Sequence, residues 1–129
     1  MTNSTVNQLM NLFGRKALVT GGAGHIGRAV GETLVELGAN VGIIDLDTSD
    51  CQQSVADLSR IRAESALATV GDLSDEKATQ ALVRQTIGDL GGLDILIHCA
   101  AYVGTTEDPG WAVPFERQTV EAWDAALRI

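Results

Sequence analysis

The fold of this chain is decided by the stretch Thr20-Gly21-Gly22-Ala23-Gly24-His25-Ile26-Gly27. The apolar run at 17–19 just before it is typical of a buried parallel strand. The segment after it predicts a helix that ends at Gly38, with one buried face made of Ile26, Val30, Leu34 and Leu37. A glycine-rich turn between a strand and a helix lets backbone N–H groups approach a pyrophosphate, which side chains would keep away.

Strand and helix patterns alternate along the rest of the chain. Apolar runs predict strands at 41–44, at 66–70 and from 95 onward. Helical spacing predicts helices at 54–62, 75–90 and 120–129. This alternation predicts an α/β fold, namely a doubly wound parallel sheet of the Rossmann type with helices on both faces. The first four strands are expected in the order 3-2-1-4.

Each of these later helices is expected to bury one apolar side. The residues expected there are Val55, Leu58 and Ile61 in the first helix, Val83, Ile87 and Leu90 in the second, and Val120, Trp123 and Leu127 in the third. Ser74 is expected to cap the second helix, which places Asp75 and Glu76 in its positive first turn.

Asp45 closes the second predicted strand, 18 residues after Gly27. An acid about 20 residues after such a glycine turn binds the adenosine ribose of a dinucleotide. A carboxylate there would repel the 2′-phosphate of NADP, since two unit charges about 4 Å apart cost roughly 4 kcal/mol at an effective dielectric near 20. The sequence therefore predicts NAD as the cofactor. The alternative interpretation of Asp45, a solvated carboxylate at a strand end, stays open.

Composition limits the other classes of partner. The net charge of −8 argues against nucleic acid and against an anionic membrane surface, because both select a basic face. The two cysteines, Cys51 and Cys99, lack metal-ligand spacing and predict free thiols in a reducing cytoplasm, with no metal site. Residues 1–12 carry no signal-peptide pattern and are interpreted as a polar arm before a dinucleotide-binding domain at 13–129.

Together these residues resemble the short-chain dehydrogenase/reductases, from about Phe13 to Ile129 and including Asp-Ile-Leu-Ile-His-Cys-Ala-Ala at 94–101. The resemblance implies an NAD-dependent oxidoreductase that interconverts an alcohol and a ketone, acts on a small molecule and is a homo-oligomer when complete. It implies a phosphate turn made of Thr20, Gly21, Gly24, Ile26 and Gly27. It also implies that Asp45 holds the ribose, that Asp72 and Leu73 lie beside the adenine, and that Ala100 and Ala101 line the cofactor. His25 is added as a candidate phosphate contact, with an exposed loop histidine as the alternative.

Two departures from the family pattern bear on function. The usual Asn-Asn-Ala-Gly is His98-Cys99-Ala100-Ala101 here, which resembles the His-x-Ala-Ala of an epimerase-like branch. A nucleotide-sugar epimerase or dehydratase, or a non-catalytic dinucleotide-binding module, therefore stays an alternative. The only tyrosine, Tyr102, is followed four residues later by Thr106, so the family's Tyr-x-x-x-Lys is missing. The chain is accordingly interpreted as the N-terminal part of an enzyme, with no catalytic residue of its own and no turnover alone.

Overall fold

The computed structural model describes residues 5–101 and 113–127 and divides the chain into two compact units, 1–99 and 100–129. The first unit contains α1 (Val6–Leu9), β1 (Lys16–Thr20), α2 (His25–Glu36), β2 (Asn40–Asp45), α3 (Thr48–Ile61), β3 (Ala66–Val70), α4 (Glu76–Leu90) and β4 (Ile95–His98). The described part of the second unit contains a 3-10 turn (Phe115–Arg117) and α5 (Val120–Ala126).

The four strands form one parallel sheet in the order β3-β2-β1-β4, which confirms the predicted topology. In this register Val19 lies between Ile43 on β2 and Ile97 on β4. Right-handed crossovers carry the chain outward from β1 to β3 and then back past β1 to β4. Because the direction reverses, α2 and α3 cover one face of the sheet and α4 covers the other, and the carboxyl ends of all four strands meet at one edge.

The core lies around β1 and β2. The side chains of Leu18, Val19, Val41, Ile43 and Ile44 are fully buried, whereas β3 and β4 are only partly covered. Close packing of α4 depends on Gly42, because a Cβ there would lie 2.7 Å from Thr86. The buried Thr86 hydroxyl is satisfied at this interface, since it donates to the Leu82 carbonyl (2.8 Å) and lies 2.8 Å from the Thr69 hydroxyl.

The prediction that Ile26 belongs to the buried face of α2 is wrong, because this residue is 73% exposed. The side that packs is made of Gly27, Gly31, Leu34 and Val35. A Cβ at Gly31 would touch Leu58 at 3.4 Å, so glycine lets α2 and α3 approach closely. Leu34 is buried and Val30 is half-buried against the core, as expected, whereas Ile26 is exposed. An open apolar groove of about 520 Å³ lies beside α2 and is lined by His25, Ile26, Ala29, Val30, Thr33, Leu34 and Ile97.

The helix predicted from residue 54 begins six residues earlier, at Thr48. Asp47 stabilises this start, because its side chain accepts a hydrogen bond from the Asp50 N–H (3.1 Å). The buried side also differs from the expected one, since Val55 is only half-buried. The residues buried on α3 are Cys51, Ser54 and Leu58, and Ile61 is exposed.

The N-cap of α4 is Asp75 and not the predicted Ser74. The Asp75 carboxylate accepts a hydrogen bond from the Ala78 N–H (2.7 Å), so an acid expected in the first turn caps it instead. The helix ends as predicted at the following glycines, with Gly91 in the left-handed conformation (φ 76°). Of its expected buried side, Leu90 is buried, whereas Val83 and Ile87 are half-buried.

The segment interpreted as a polar arm contains one turn of helix, α1, closed by a capping box between Thr5 and Gln8. After it, the Leu12 N–H donates to the Leu37 carbonyl (2.8 Å), which fixes the end of the arm to the domain. Among residues 5–101 and 113–127, no helix is long and apolar enough to cross a membrane.

The second unit corrects one further expectation. The expected face of α5 is largely exposed, at 71% for Val120, 44% for Trp123 and 76% for Leu127, whereas Ala122 is buried. The helix is capped by Thr119, whose hydroxyl accepts from the Ala122 N–H (3.2 Å). Tyr102 lies outside the described residues.

Candidate cofactor site

The carboxyl ends of the strands bring the predicted site residues of the first unit to one edge. Thr20 ends β1, Asp45 ends β2, Asp72 follows β3, and His98 ends β4. In doubly wound sheets ligands bind outside this edge, where the strand order reverses. The reversal here lies between β1 and β4, next to the glycine turn at 21–24.

The glycine turn is built by backbone geometry that side chains would prevent. Gly21 has φ +65°, and its N–H donates to the Ile44 carbonyl (2.8 Å), which joins the turn to β2. A Cβ at Gly27 would lie 2.1 Å from the Gly21 carbonyl oxygen. Gly27 is therefore the residue that allows α2 to begin against the turn.

The first turn of α2 has the geometry of an anion site. Gly24 is its N-cap and provides no side-chain hydrogen bond. The backbone N–H groups of His25, Ile26 and Gly27 are those that a helix leaves without an intrahelical acceptor. Because Gly24, His25 and Ile26 are exposed, a phosphate can approach these N–H groups closely.

The Asp45 carboxylate is held in place by two backbone groups. One oxygen accepts the Ala23 N–H (2.9 Å), and the other accepts the Leu46 N–H (2.8 Å). Each carboxylate oxygen can accept a further hydrogen bond. Asp45 thus braces the glycine turn and retains acceptor capacity for a ribose hydroxyl. The bond to Ala23 was not predicted, because sequence spacing places Asp45 near the turn without showing which N–H it meets.

The end of β3 is joined to the same edge. The Gly71 N–H donates to the Asp45 carbonyl (2.9 Å). Beside it, the exposed Asp72 carboxylate accepts the Ser74 N–H (2.9 Å). This backbone hydrogen bond, followed by one from the Ser74 hydroxyl, lowers the pKa of Asp72. The neighbouring Leu73 is half-buried, and its carbonyl accepts the Thr79 hydroxyl (3.0 Å).

Two further contacts at this edge were missed by sequence reasoning. The Arg28 Nε donates to the Ala23 carbonyl (2.7 Å), and its guanidinium lies 3.6 Å from the Asp50 carboxylate. The Thr20 hydroxyl lies 2.7 Å from the Nδ1 atom of His98. The Arg28 contact has only a weak sequence signal, a basic residue directly after Gly27.

Ala100 and Ala101 belong to the second unit, so their place beside a cofactor stays a prediction. Within residues 5–101 and 113–127, the structure contains no cluster of three or more histidine, cysteine or acidic side chains that could hold a metal ion.

A family model described as short chain dehydrogenase matches residues 15–129 of the chain. A short chain dehydrogenase/reductase from Macrophomina phaseolina is 32% identical over 127 residues, covering 98% of this chain and 69% of that protein. A 2,3-dihydroxy-2,3-dihydro-p-cumate dehydrogenase from Pseudomonas putida is 37% identical over 116 residues, covering 90% of this chain and 42% of that protein.

Solved structures agree with these relatives. A xylitol dehydrogenase bound to NAD⁺ is 26% identical and superposes with a TM-score of 0.78, covering 92% of this chain and 43% of that one. This chain therefore spans less than half the length of that structure and of the Pseudomonas relative.

Proposed function

Because this chain belongs to the short-chain dehydrogenase family, we propose that it is the NAD-binding part of an oxidoreductase that interconverts an alcohol and a ketone. The observation that carries the proposal is the fixed carboxylate of Asp45 beside the exposed first turn of α2. A dinucleotide needs an anion site and a ribose acceptor next to each other, and this edge offers both.

In this proposal the pyrophosphate binds at the N-terminus of α2. The N–H groups of His25, Ile26 and Gly27 donate to its oxygens, and the positive end of the helix dipole adds to the attraction. The exposure of Gly24, which has no side chain, lets the phosphates reach the backbone. Asp72 and Leu73 flank the adenine, because the end of β3 lies next to that of β2.

Asp45 selects NAD over NADP in this proposal. Its carboxylate accepts hydrogen bonds from the 2′- and 3′-hydroxyls of the adenosine ribose. A 2′-phosphate would instead meet a negative charge that two backbone N–H groups hold in position. Asp47 and Asp50 follow closely in the chain, and Arg28, a nearby cation, is already paired with Asp50.

Oxidation and reduction are favoured over epimerisation by the relatives, several of which are dehydrogenases by name. When bound, the nicotinamide ring supplies the hydride chemistry. The residues of this chain bind and orient the dinucleotide. Tyr102 is followed by Thr106 where the family pattern requires lysine, so the proposal assigns the chain no catalytic residue.

The experiment is a calorimetric titration of the chain with NADH and with NADPH. We expect NADH to bind tighter by about tenfold or more, which corresponds to about 1.4 kcal/mol. Asp45→Asn removes the charge and keeps an acceptor for a backbone N–H. It should therefore weaken the binding of NADH, strengthen the binding of NADPH and narrow the ratio of the two affinities.

Asp89→Asn is the matched control, since Asp89 is an exposed acid near the far end of α4 and its loss changes the net charge equally. It should leave the NADH to NADPH ratio unchanged. Equal affinities for the two cofactors in the unmutated chain would refute the role of Asp45, and the absence of binding by either would refute the proposed function.

A further inference from the structure

The end of β4 carries a histidine whose ring is fixed by the end of β1. Thr20 and His98 are partners in the parallel register, and the Thr20 hydroxyl lies 2.7 Å from the Nδ1 atom of His98. Thr20 is buried, whereas the His98 ring is exposed. Its other nitrogen, Nε2, makes no hydrogen bond to any residue among 5–101 and 113–127.

The order of the strands predicts what lies next to this ring. Neighbouring strand ends are about 4.8 Å apart. In the proposed function, the adenosine lies at the ends of β3 and β2, and the pyrophosphate lies at the turn after β1. A dinucleotide that continues along the same edge brings its second nucleoside to the end of β4, where His98 stands.

We propose that His98 binds the second nucleoside of the dinucleotide through Nε2, at its ribose hydroxyls, and that Thr20 positions the ring for this contact. The inference rests on the proposed function and extends it to a residue outside the glycine turn. An imidazole nitrogen donates or accepts according to its tautomer, and a ribose diol does both. The bond to Thr20 fixes the ring plane, so less orientational freedom is lost when the ligand binds.

The variant His98→Asn tests the roles of the two ring nitrogens separately. The asparagine amide can replace Nδ1 as the partner of Thr20, but it has no atom at the place of Nε2. Asparagine is also the residue that the family pattern usually has there, so the variant is expected to fold. The test is a calorimetric titration of the chain and of His98→Asn with two ligands, NAD⁺ and ADP, of which ADP lacks the second nucleoside.

We expect His98→Asn to lower the affinity for NAD⁺ by about threefold to tenfold, the range of one neutral hydrogen bond, and to leave the affinity for ADP unchanged. Thr20→Val should weaken NAD⁺ in the same direction by releasing the ring, and Thr20→Ser, which keeps the hydroxyl, should restore it. In the unmutated chain, the ¹⁵N resonance of Nε2 should shift on addition of NAD⁺ and stay in place on addition of ADP.

The outcomes separate this inference from the proposed function. Normal NAD⁺ binding by the unmutated chain with no change in His98→Asn would overturn the inference alone. Equal weakening of NAD⁺ and ADP would also overturn it, since a merely structural role affects both ligands. No binding of either ligand by the unmutated chain would overturn the proposed function and this inference with it. If the variant fails to fold, an Nε2 resonance that does not respond to NAD⁺ still decides against it.

Discussion

The two neighbours of β1 differ in how they are held. On one side, β2 has four consecutive buried residues and ends in Asp45, whose carboxylate is fixed by two backbone N–H groups. On the other side, β4 alternates half-buried and exposed residues and ends in the exposed His98. Among the described residues β4 pairs with β1 alone, and an open apolar groove lies between it and α2. The half of the edge proposed to bind adenosine is thus held by buried strands and hydrogen bonds, whereas the other half has fewer stabilising contacts.

A substitution in the glycine turn on the β2 side should have the largest effect on the free energy of unfolding. In Gly27→Ala the added Cβ would meet the Gly21 carbonyl oxygen at 2.1 Å, and backbone on both sides must shift. We expect a loss of about 3 kcal/mol or more from a total of about 5–15. Urea denaturation followed by circular dichroism measures it.

Gly88→Ala is the matched control for this substitution. Gly88 lies inside α4, and a Cβ there would meet nothing within 4 Å. Alanine should stabilise the chain by about 0.5–1 kcal/mol, because glycine weakens a helix interior. A Gly27→Ala chain as stable as the unmutated one would show that the turn can be rebuilt, and the contrast between the two sides of β1 would fail.

The less covered side, at β4, is expected to cause self-association of the 129-residue chain. No strand of residues 5–101 and 113–127 pairs with the outer edge of β4, so its N–H and C=O groups can meet another chain, and Leu96 on this strand is 62% exposed. Leu96→Lys places a charge on the edge and should reduce the associated fraction by about threefold or more, with stability changed by about 0.5 kcal/mol at most. Sedimentation velocity at several concentrations provides the measurement.

Leu46→Lys adds the same charge at a residue that is 67% exposed and lies outside the strands. It should leave association unchanged. Equal reductions by both substitutions would mean that net charge, and not the β4 edge, controls association. A monomeric unmutated chain would remove the basis of this prediction.

The reaction rates of the two cysteine thiols compare the accessibility of the β2 side and the β4 side in one experiment. Cys51 packs under the β2 side at 1% exposure, and burial, followed by the charges of Asp45, Asp47 and Asp50, raises the pKa of its thiol. Cys99 follows β4 and is half-buried. Since the thiolate is the reactive form, a disulfide reagent near pH 8 should modify Cys99 about tenfold faster or more.

The variants Cys51→Ala and Cys99→Ala assign the two rates. Cys51→Ala should keep the fast phase of thiol modification, and Cys99→Ala should keep the slow phase. Equal rates for the two thiols would show that the β2 side opens as readily as the β4 side.

The sequence predicted what depends on short stretches of chain. The apolar runs and the glycine turn predicted all four strands and their order, and Asp45 was predicted at a strand end beside the turn. These inferences succeed because right-handed crossovers leave few arrangements for such a pattern. The roles of the site residues remain predictions that binding experiments must test.

What the sequence did not predict depends on contacts between distant residues. Periodicity placed Ile26 on the buried side of α2 with Leu34, but Gly27 and Gly31 bring the helix backbone itself against its neighbours, and the exposed Ile26 lines a groove. The bond between Thr20 and His98 joins residues 78 positions apart, and no local pattern contains it. The start of α3 is an exception, because the Asp47 side chain bonds the N–H of Asp50 only three residues away, and the apolar spacing used to predict the helix did not include this local signal.

The smallest expected effect concerns the amino end of β4, where Asp94 ties this strand to β1. Its carboxylate accepts the Lys16 N–H (2.8 Å) and the Arg15 guanidinium (3.0 Å), and these bonds, the first above all, lower the pKa of Asp94. A lowered folded-state pKa means that the ionised form stabilises the fold above the unfolded-state pKa of about 3.9, and that this contribution disappears as the pH falls through the folded-state pKa. Asp94→Asn should therefore lower the Tm by a few degrees at pH 7, and the difference should close as the pH falls below the folded-state pKa of Asp94. Asp89→Asn, the control on α4, should leave the Tm unchanged throughout. Thermal melting between pH 7 and pH 2.5 measures both, and a deficit of Asp94→Asn that persists at the acid end would mean that the carboxylate acts by its shape and not by its charge.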